Sequence, residues 1–80
     1  MFYAYILKSR KDGTFYKGST KNIEERIRIH NSGKEKYTKG HRPNTLHYYE
    51  EFKTRKEAVF RERFFKSIEG YNWLKSKKII

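Results

Sequence analysis

Eighty residues are enough for one domain and not for two, and a chain this short buries only about 60% of the surface its unfolded form exposes. The absence of cysteine excludes disulfides and thiolate metal sites, so any metal would rest on oxygen or imidazole, which favours a hard cation such as Mg²⁺ or Mn²⁺. Twenty Lys and Arg against nine Asp and Glu give a net charge of +11, and together with seven Tyr, six Phe and one Trp this points to a polyanion such as nucleic acid rather than to a merely solvated basic surface.

The apolar segment Met1 to Leu7 is far shorter than the roughly 18 residues a membrane helix needs. Lys8, Arg10 and Lys11 follow it, the reverse of the order in a secretory leader, so a cytoplasmic protein is expected. Phe2 to Leu7 reads as a strand, and Phe15 to Ser19 as a second. The Asp12-Gly13 pair between them is a hairpin signal. If those two residues fill the turn, Ser9 faces Tyr16, and Tyr3, Tyr5 and Leu7 share a sheet face with Tyr16, Gly18 and Thr20. Tyr5 and Tyr16 then stand roughly 13 Å apart along the strand. Twist and two long side chains must close that gap, or the register differs. Taken alone, these tyrosines read as core aromatics of a half-buried sheet.

Asn22 with Glu25 forms a capping-box pattern that opens a helix to about Asn31, and Ser32-Gly33 stops it. On that helix Arg26 projects about 60° from both Ile23 and Ile29, with His30 one turn further on the same side. Such an arginine either lays its stem on apolar surface or presents its fork to a phosphate. Residues 34 to 44 read as a charged loop, followed by a third strand from Thr45 to Phe52. Thr54 and Glu57 cap a second helix reaching about Ile68, Gly70 breaks it, and Tyr71 to Lys78 form a last short helix. Glu62 falls in the sector of Ala58, Val59 and Phe65, while Phe60, Phe64 and Ile68 make a second apolar stripe. A carboxylate there pairs with Arg26, reaches out to solvent, or binds a cation. The expected fold is α+β, a single domain over residues 1–80 with a three-stranded, mainly antiparallel sheet and the order ββαβαα. Two phenols, a guanidinium, an imidazole and one acid suit phosphate chemistry, if the fold brings them together.

The arrangement resembles the GIY-YIG nucleases over nearly the whole chain. Tyr3-Ala4-Tyr5-Ile6-Leu7 stands where that family has its first motif, and Tyr16-Lys17-Gly18 stands for the second. Arg26 and His30 match the Arg and following His or Tyr of the family's first helix, and Glu62 resembles its single metal-binding carboxylate. Asn72 weakly matches an Asn near the end of some members, although its spacing from Glu62 is short. Tyr3 replaces the glycine of the first motif, and Lys17 replaces an apolar residue of the second. The stretches His30 to Gly33, Thr38 to Pro43 and Arg61-Glu62 with Lys66 look most like the small stand-alone bacterial members, whose relatives include structure-specific nucleases, repair proteins and homing endonucleases.

The resemblance implies a one-metal hydrolysis of DNA, on substrates that include branched or single-stranded forms. Glu62 would hold Mg²⁺ or Mn²⁺, and Arg26 would stabilise the transition-state charge. Tyr5 or Tyr16 would orient or deprotonate water, with His30 assisting. Arg28, Lys34, Lys36, Lys39 and Arg42 are candidates for gripping flanking phosphates, contacts that position without specifying. Two other readings stand beside this one: a nucleic-acid-binding module without turnover, and a nuclease subunit that needs a protein partner.

Overall fold

The computed structural model describes all residues 1–80. Its elements are strand β1 (Phe2–Ser9), strand β2 (Phe15–Thr20), helix α1 (Ile23–Ser32), strand β3 (Asn44–Phe52), helix α2 (Arg55–Lys66) and helix α3 (Ile68–Ser76). A single 3₁₀ turn, Lys39–His41, interrupts the loop before β3. The order is ββαβαα, and the sheet is antiparallel throughout with β1 between β2 and β3. The central position explains why Ala4 to Leu7 is a continuous apolar run with no exposure on either face. No helix is long and apolar enough to cross a membrane.

The hairpin register differs from that of a two-residue turn. Ser9 N–H donates to Thr14 O at 2.8 Å, so the loop holds four residues, Arg10 to Gly13, and every pairing moves by two positions. Tyr5 therefore faces Gly18, and Tyr16 faces Leu7. The reason lies in Asp12, whose Oδ1 accepts from Thr14 N and Oγ1 while its Oδ2 meets His41 Nδ1 at 2.6 Å. Ser9 Oγ accepts from the backbone N–H groups of Lys11 and Asp12 and closes the loop from inside. A shift of two keeps each side chain on its face, so Tyr3, Tyr5, Leu7, Tyr16, Gly18 and Thr20 still point the same way.

One face of the sheet carries the apolar core. Ala4 and Ile6 pack there against Phe65 and Leu74, with Phe15, Tyr48, Phe52, Phe64 and Trp73 around them. Arg61 closes its rim: Nε donates to Glu50 at 2.7 Å while the guanidinium lies 4.6 Å from the ring centres of Phe64 and Trp73. After α3, Lys78 takes a positive φ of 58° and Ile79 N–H donates to Leu74 O, which turns Ile79 and Ile80 back onto this core.

Thr54 and Glu57 form the reciprocal capping box expected of α2. At α1 only half of that pattern exists: Asn22 accepts from Glu25 N, but Asn22 N–H goes to Thr20 Oγ1. Gly33, at φ 87°, ends α1 as expected. The second helix stops at Lys66 rather than Ile68, and Gly70 lies inside α3 instead of breaking a helix. Ser67 makes the break, since its extended backbone ends α2 and its Oγ caps Gly70 N–H. Gly70 is buried because α3 crosses the end of α2 so closely that a Cβ would lie 1.6 Å from Phe64 O. The expected second stripe on α2 is not a packed surface either: Phe64 is half-buried, but Phe60 and Ile68 are 74% and 81% exposed.

Candidate active site

The opposite face of the sheet is polar where it meets α1. Tyr5 has no exposed surface, and its hydroxyl lies 3.0 Å from Nε2 of His30, itself fully buried. Nδ1 of His30 lies 2.8 Å from Oγ1 of buried Thr38. Whichever ring nitrogen carries the hydrogen, both are engaged, so the imidazole links Tyr5 to the loop and cannot turn. Asn31 locks the same loop by exchanging two hydrogen bonds with the backbone of Asn44.

Gly18 provides the room for Tyr5. A Cβ there would lie 2.5 Å from the phenol oxygen and 2.7 Å from the ring carbon that bears it. Glycine opposite the tyrosine thus has a steric cause, close approach of a ring to backbone. Tyr16, two residues earlier, places its ring centre 6.4 Å from that of Tyr5 and 4.7 Å from that of His30. Unlike Tyr5 it is only half-buried, and no protein group bonds its hydroxyl.

Arg26 reaches this cluster from α1. It pairs loosely with Glu35 at 3.5 Å, and about a third of its side chain, 34%, is exposed. Glu62 arrives from α2 on the other face of β2. Ser19 Oγ donates to its Oε1 at 2.6 Å, and Lys66 Nζ donates to its Oε2 at 2.7 Å. Because β2 is an edge strand, groups on its two faces meet around its margin, and the charges of Arg26 and Glu62 both act on Tyr5 and on Tyr16. The Glu62 side chain remains 20% exposed, and it does not pair with Arg26.

The electrostatics separate the titratable groups. Burial pushes Tyr5 up to about 12, although the neighbouring Arg26 pulls it down. Burial also raises Tyr16, helped by the Glu35 charge and opposed by Lys66 and Arg26. His30 is depressed by burial and then by Arg26, so its imidazole stays neutral near pH 7.

Tyr5, Tyr16, Arg26, His30 and Glu62 are therefore gathered in one region. Asn72 is not among them: it is exposed on α3, whose packing partner is α2. Arg28, Lys34, Lys36 and Lys39 are exposed, and Arg28 lies 3.9 Å from Glu25. Arg42 serves the fold, donating from Nε to Lys39 O at 2.9 Å while its guanidinium covers Gly33. Sequence reasoning missed Ser19, Thr38 and Glu35 as partners of the cluster. Only Lys66 had a local signal, its i,i+4 spacing from Glu62.

The GIY-YIG catalytic domain model matches residues 1–76. A UPF0213 protein of Bacillus licheniformis is 46% identical over 71 residues, covering 88% of this chain and 72% of the relative. One from Staphylococcus haemolyticus is 46% identical over 74 residues, covering 91% and 89%. The solution NMR structure of a UPF0213 protein from Bacillus halodurans is 38% identical, with a TM-score of 0.55 over 98% of this chain and 86% of that one. The chain therefore belongs to the GIY-YIG catalytic domain family, and a nuclease-type function on nucleic acid follows from that membership.

Proposed function

We propose that the chain is a metal-dependent endonuclease that hydrolyses the DNA backbone at the margin of β2. The observation that carries this reading is that Arg26 of α1 and Glu62 of α2, each partly exposed, both bring their charge to bear on half-buried Tyr16 of β2, beside the sealed Tyr5–His30–Thr38 chain. A core packing role would bury these polar groups or neutralise them in pairs. Arg26 instead holds Glu35 loosely and the Tyr16 hydroxyl has no protein partner, although Glu62 is paired with half-exposed Lys66.

No group of three or more His, Asp or Glu that could hold a metal exists in the molecule, and Glu62 is the carboxylate that the family resemblance assigns to the ion. That donor set fits Mg²⁺ or Mn²⁺, hard cations that keep several waters and take phosphate oxygens as further ligands. Lys66 Nζ donates to this carboxylate, so an ion bound there would replace one positive charge with another. When bound, the ion would supply charge neutralisation at the scissile phosphate and its leaving oxygen.

The chain's own residues divide the remaining work. Arg26 exchanges Glu35 for a phosphate oxygen and stabilises charge that grows in the transition state. Tyr16, the phenol in reach of solvent, orients the attacking water. Its proton becomes easier to move as the fields of Arg26 and Lys66 gain on that of Glu35. Tyr5 stays neutral and fixes His30 and Arg26 in place, since it is sealed from water and ionises only near 12. His30, neutral and hydrogen-bonded at both nitrogens, ties Tyr5 to Thr38 and so holds the phenol in position.

A nicking assay on duplex, flap, bubble and single-stranded DNA, with and without Mg²⁺ or Mn²⁺, tests this reading. Cleavage should need the metal and vanish in Glu62→Ala while DNA binding survives. Binding without cleavage on every substrate would leave a recognition module, or a subunit awaiting its partner.

A further inference from the structure

The second motif departs from the family pattern at Lys17, and the structure gives that departure a setting. Lys17 lies on the face of β2 that also carries Ser19, the donor to Glu62, and no acid pairs with it. Burial, and then the charge of Lys66, hold its pKa below the usual lysine value. Lys17 and Lys66 line one concavity, and the acid paired with either of them is Glu62, bonded to Lys66. An anion would balance the pair.

Beside this pair an aromatic row leads outward. Ring centres run from His30 to Tyr16 at 4.7 Å, from Tyr16 to Tyr37 at 5.4 Å, and from Tyr37 to His41 at 5.6 Å. Asp12 fixes the outer end by its 2.6 Å contact with His41. Tyr37 is 55% exposed, its hydroxyl bonds no protein group, and its ring is tilted by 42° and 31° to its two neighbours. Phe15, Tyr16, Lys17, Tyr37 and Lys66 line a concavity of about 300 Å³, at the small end of the roughly 300–1,000 Å³ found for ligand sites.

We propose that this concavity is a nucleotide subsite, receiving one unpaired base of single-stranded DNA against Tyr16 and Tyr37 while Lys17 and Lys66 hold the phosphate next to the scissile one. The subsite deepens the nuclease reading and rests on it for its place beside Glu62. Aromatic rings stack on any base whose face is free, and lysines track the backbone. Bases inside a duplex have both faces covered by their neighbours, so the subsite selects unpaired strands, as at a flap, a bubble or a frayed end.

The test is a fluorescence anisotropy titration in EDTA with a short labelled single strand of DNA and with its duplex. Tyr37→Ala should weaken single-strand binding about tenfold and leave duplex binding within about twofold. Tyr37→Phe should keep wild-type affinity, because the ring and not the hydroxyl makes the contact. Lys17→Met should weaken binding of the single strand and lower its salt slope by about one. A second measurement needs no variant: 2-aminopurine in the single strand should be quenched on binding wild-type protein, and in the duplex it should not. Equal losses on both DNA forms, or an unchanged single-strand affinity in Tyr37→Ala, would overturn the proposal, as would an unquenched probe. Since the titration needs no turnover, its failure leaves Glu62-dependent nicking standing, and a protein that binds this way yet never nicks overturns the nuclease reading alone.

Discussion

The two faces of the sheet are built by opposite rules. Under α2 and α3, Ala4, Ile6, Phe65 and Leu74 make a dry core whose contribution comes from apolar area removed from water. Under α1, Tyr5, His30 and Thr38 are just as buried, but they are held by directed hydrogen bonds. The dry face tolerates a change of shape of similar volume better than a change of size. The polar face tolerates neither, because removing one partner strands another without water. Stability and chemistry are thus separated by the thickness of one sheet, and Glu62 joins them by reaching around β2 from a core helix.

If that separation holds, substitutions on each face should move different observables. Phe65→Ala should have the largest effect, a loss of about 3–5 kcal/mol, out of a total of only about 4–12 kcal/mol for a chain of this size. Thermal or urea unfolding measures it, and an undisturbed melting temperature would mean that the dry core does not carry the fold. Glu62→Gln should leave unfolding nearly unchanged, because its partner Lys66 is half-exposed and such pairs contribute little. Nicking should nevertheless fall about 10³-fold, the range found when a preorganised electrostatic contact is lost.

Tyr16→Phe and Tyr5→Phe sharpen the comparison within the polar face. Single-turnover cleavage should drop about 10²-fold in Tyr16→Phe, the lower range for a group that moves or orients a proton. Tyr5→Phe should instead cost stability, since it strands Nε2 of buried His30. The reverse pattern would assign the solvent-facing role to Tyr5.

The pH dependence of unfolding isolates His30. Its native pKa lies below the unfolded value, so the unfolded chain takes up the proton first as pH falls. The stability it contributes is complete above the unfolded value of about 6.5 and is lost as pH falls through the depressed native value. A wild-type minus His30→Gln difference in melting temperature should therefore shrink with acid below that point and stay constant above it. The smallest effect belongs to Asn72→Ala, within about twofold in nicking and 0.5 kcal/mol in stability, because this residue is exposed on the α2–α3 side.

The sequence made legible those features that local chemistry decides. Thr54 with Glu57 marked the start of α2, Gly33 the end of α1, and the short apolar run Phe2 to Leu7 the strand through the middle of the sheet. Arg26 and Glu62 stood out because a charge interrupts an apolar periodicity. What stayed hidden depends on partners distant in the chain. Asp12 looked like half of a two-residue turn, but its bond to His41, 29 positions away, draws it into a longer loop and moves the register. Gly70 reads equally as a breaker or as a close-packing contact, and only the path of α3 over Phe64 decides between them. Thr38 gave no signal, since nothing local marks a threonine in a charged loop as the partner of a buried histidine.

Mn²⁺ titration followed by NMR, with a short DNA strand present, tests most directly whether a single acid gathers the polar groups around β2. Paramagnetic broadening should centre on Gly18, Ser19, Arg26 and Lys66 in the wild-type protein and disappear in Glu62→Gln. Broadening that survives that substitution, or that centres on the Asp12–His41 contact, would contradict the account.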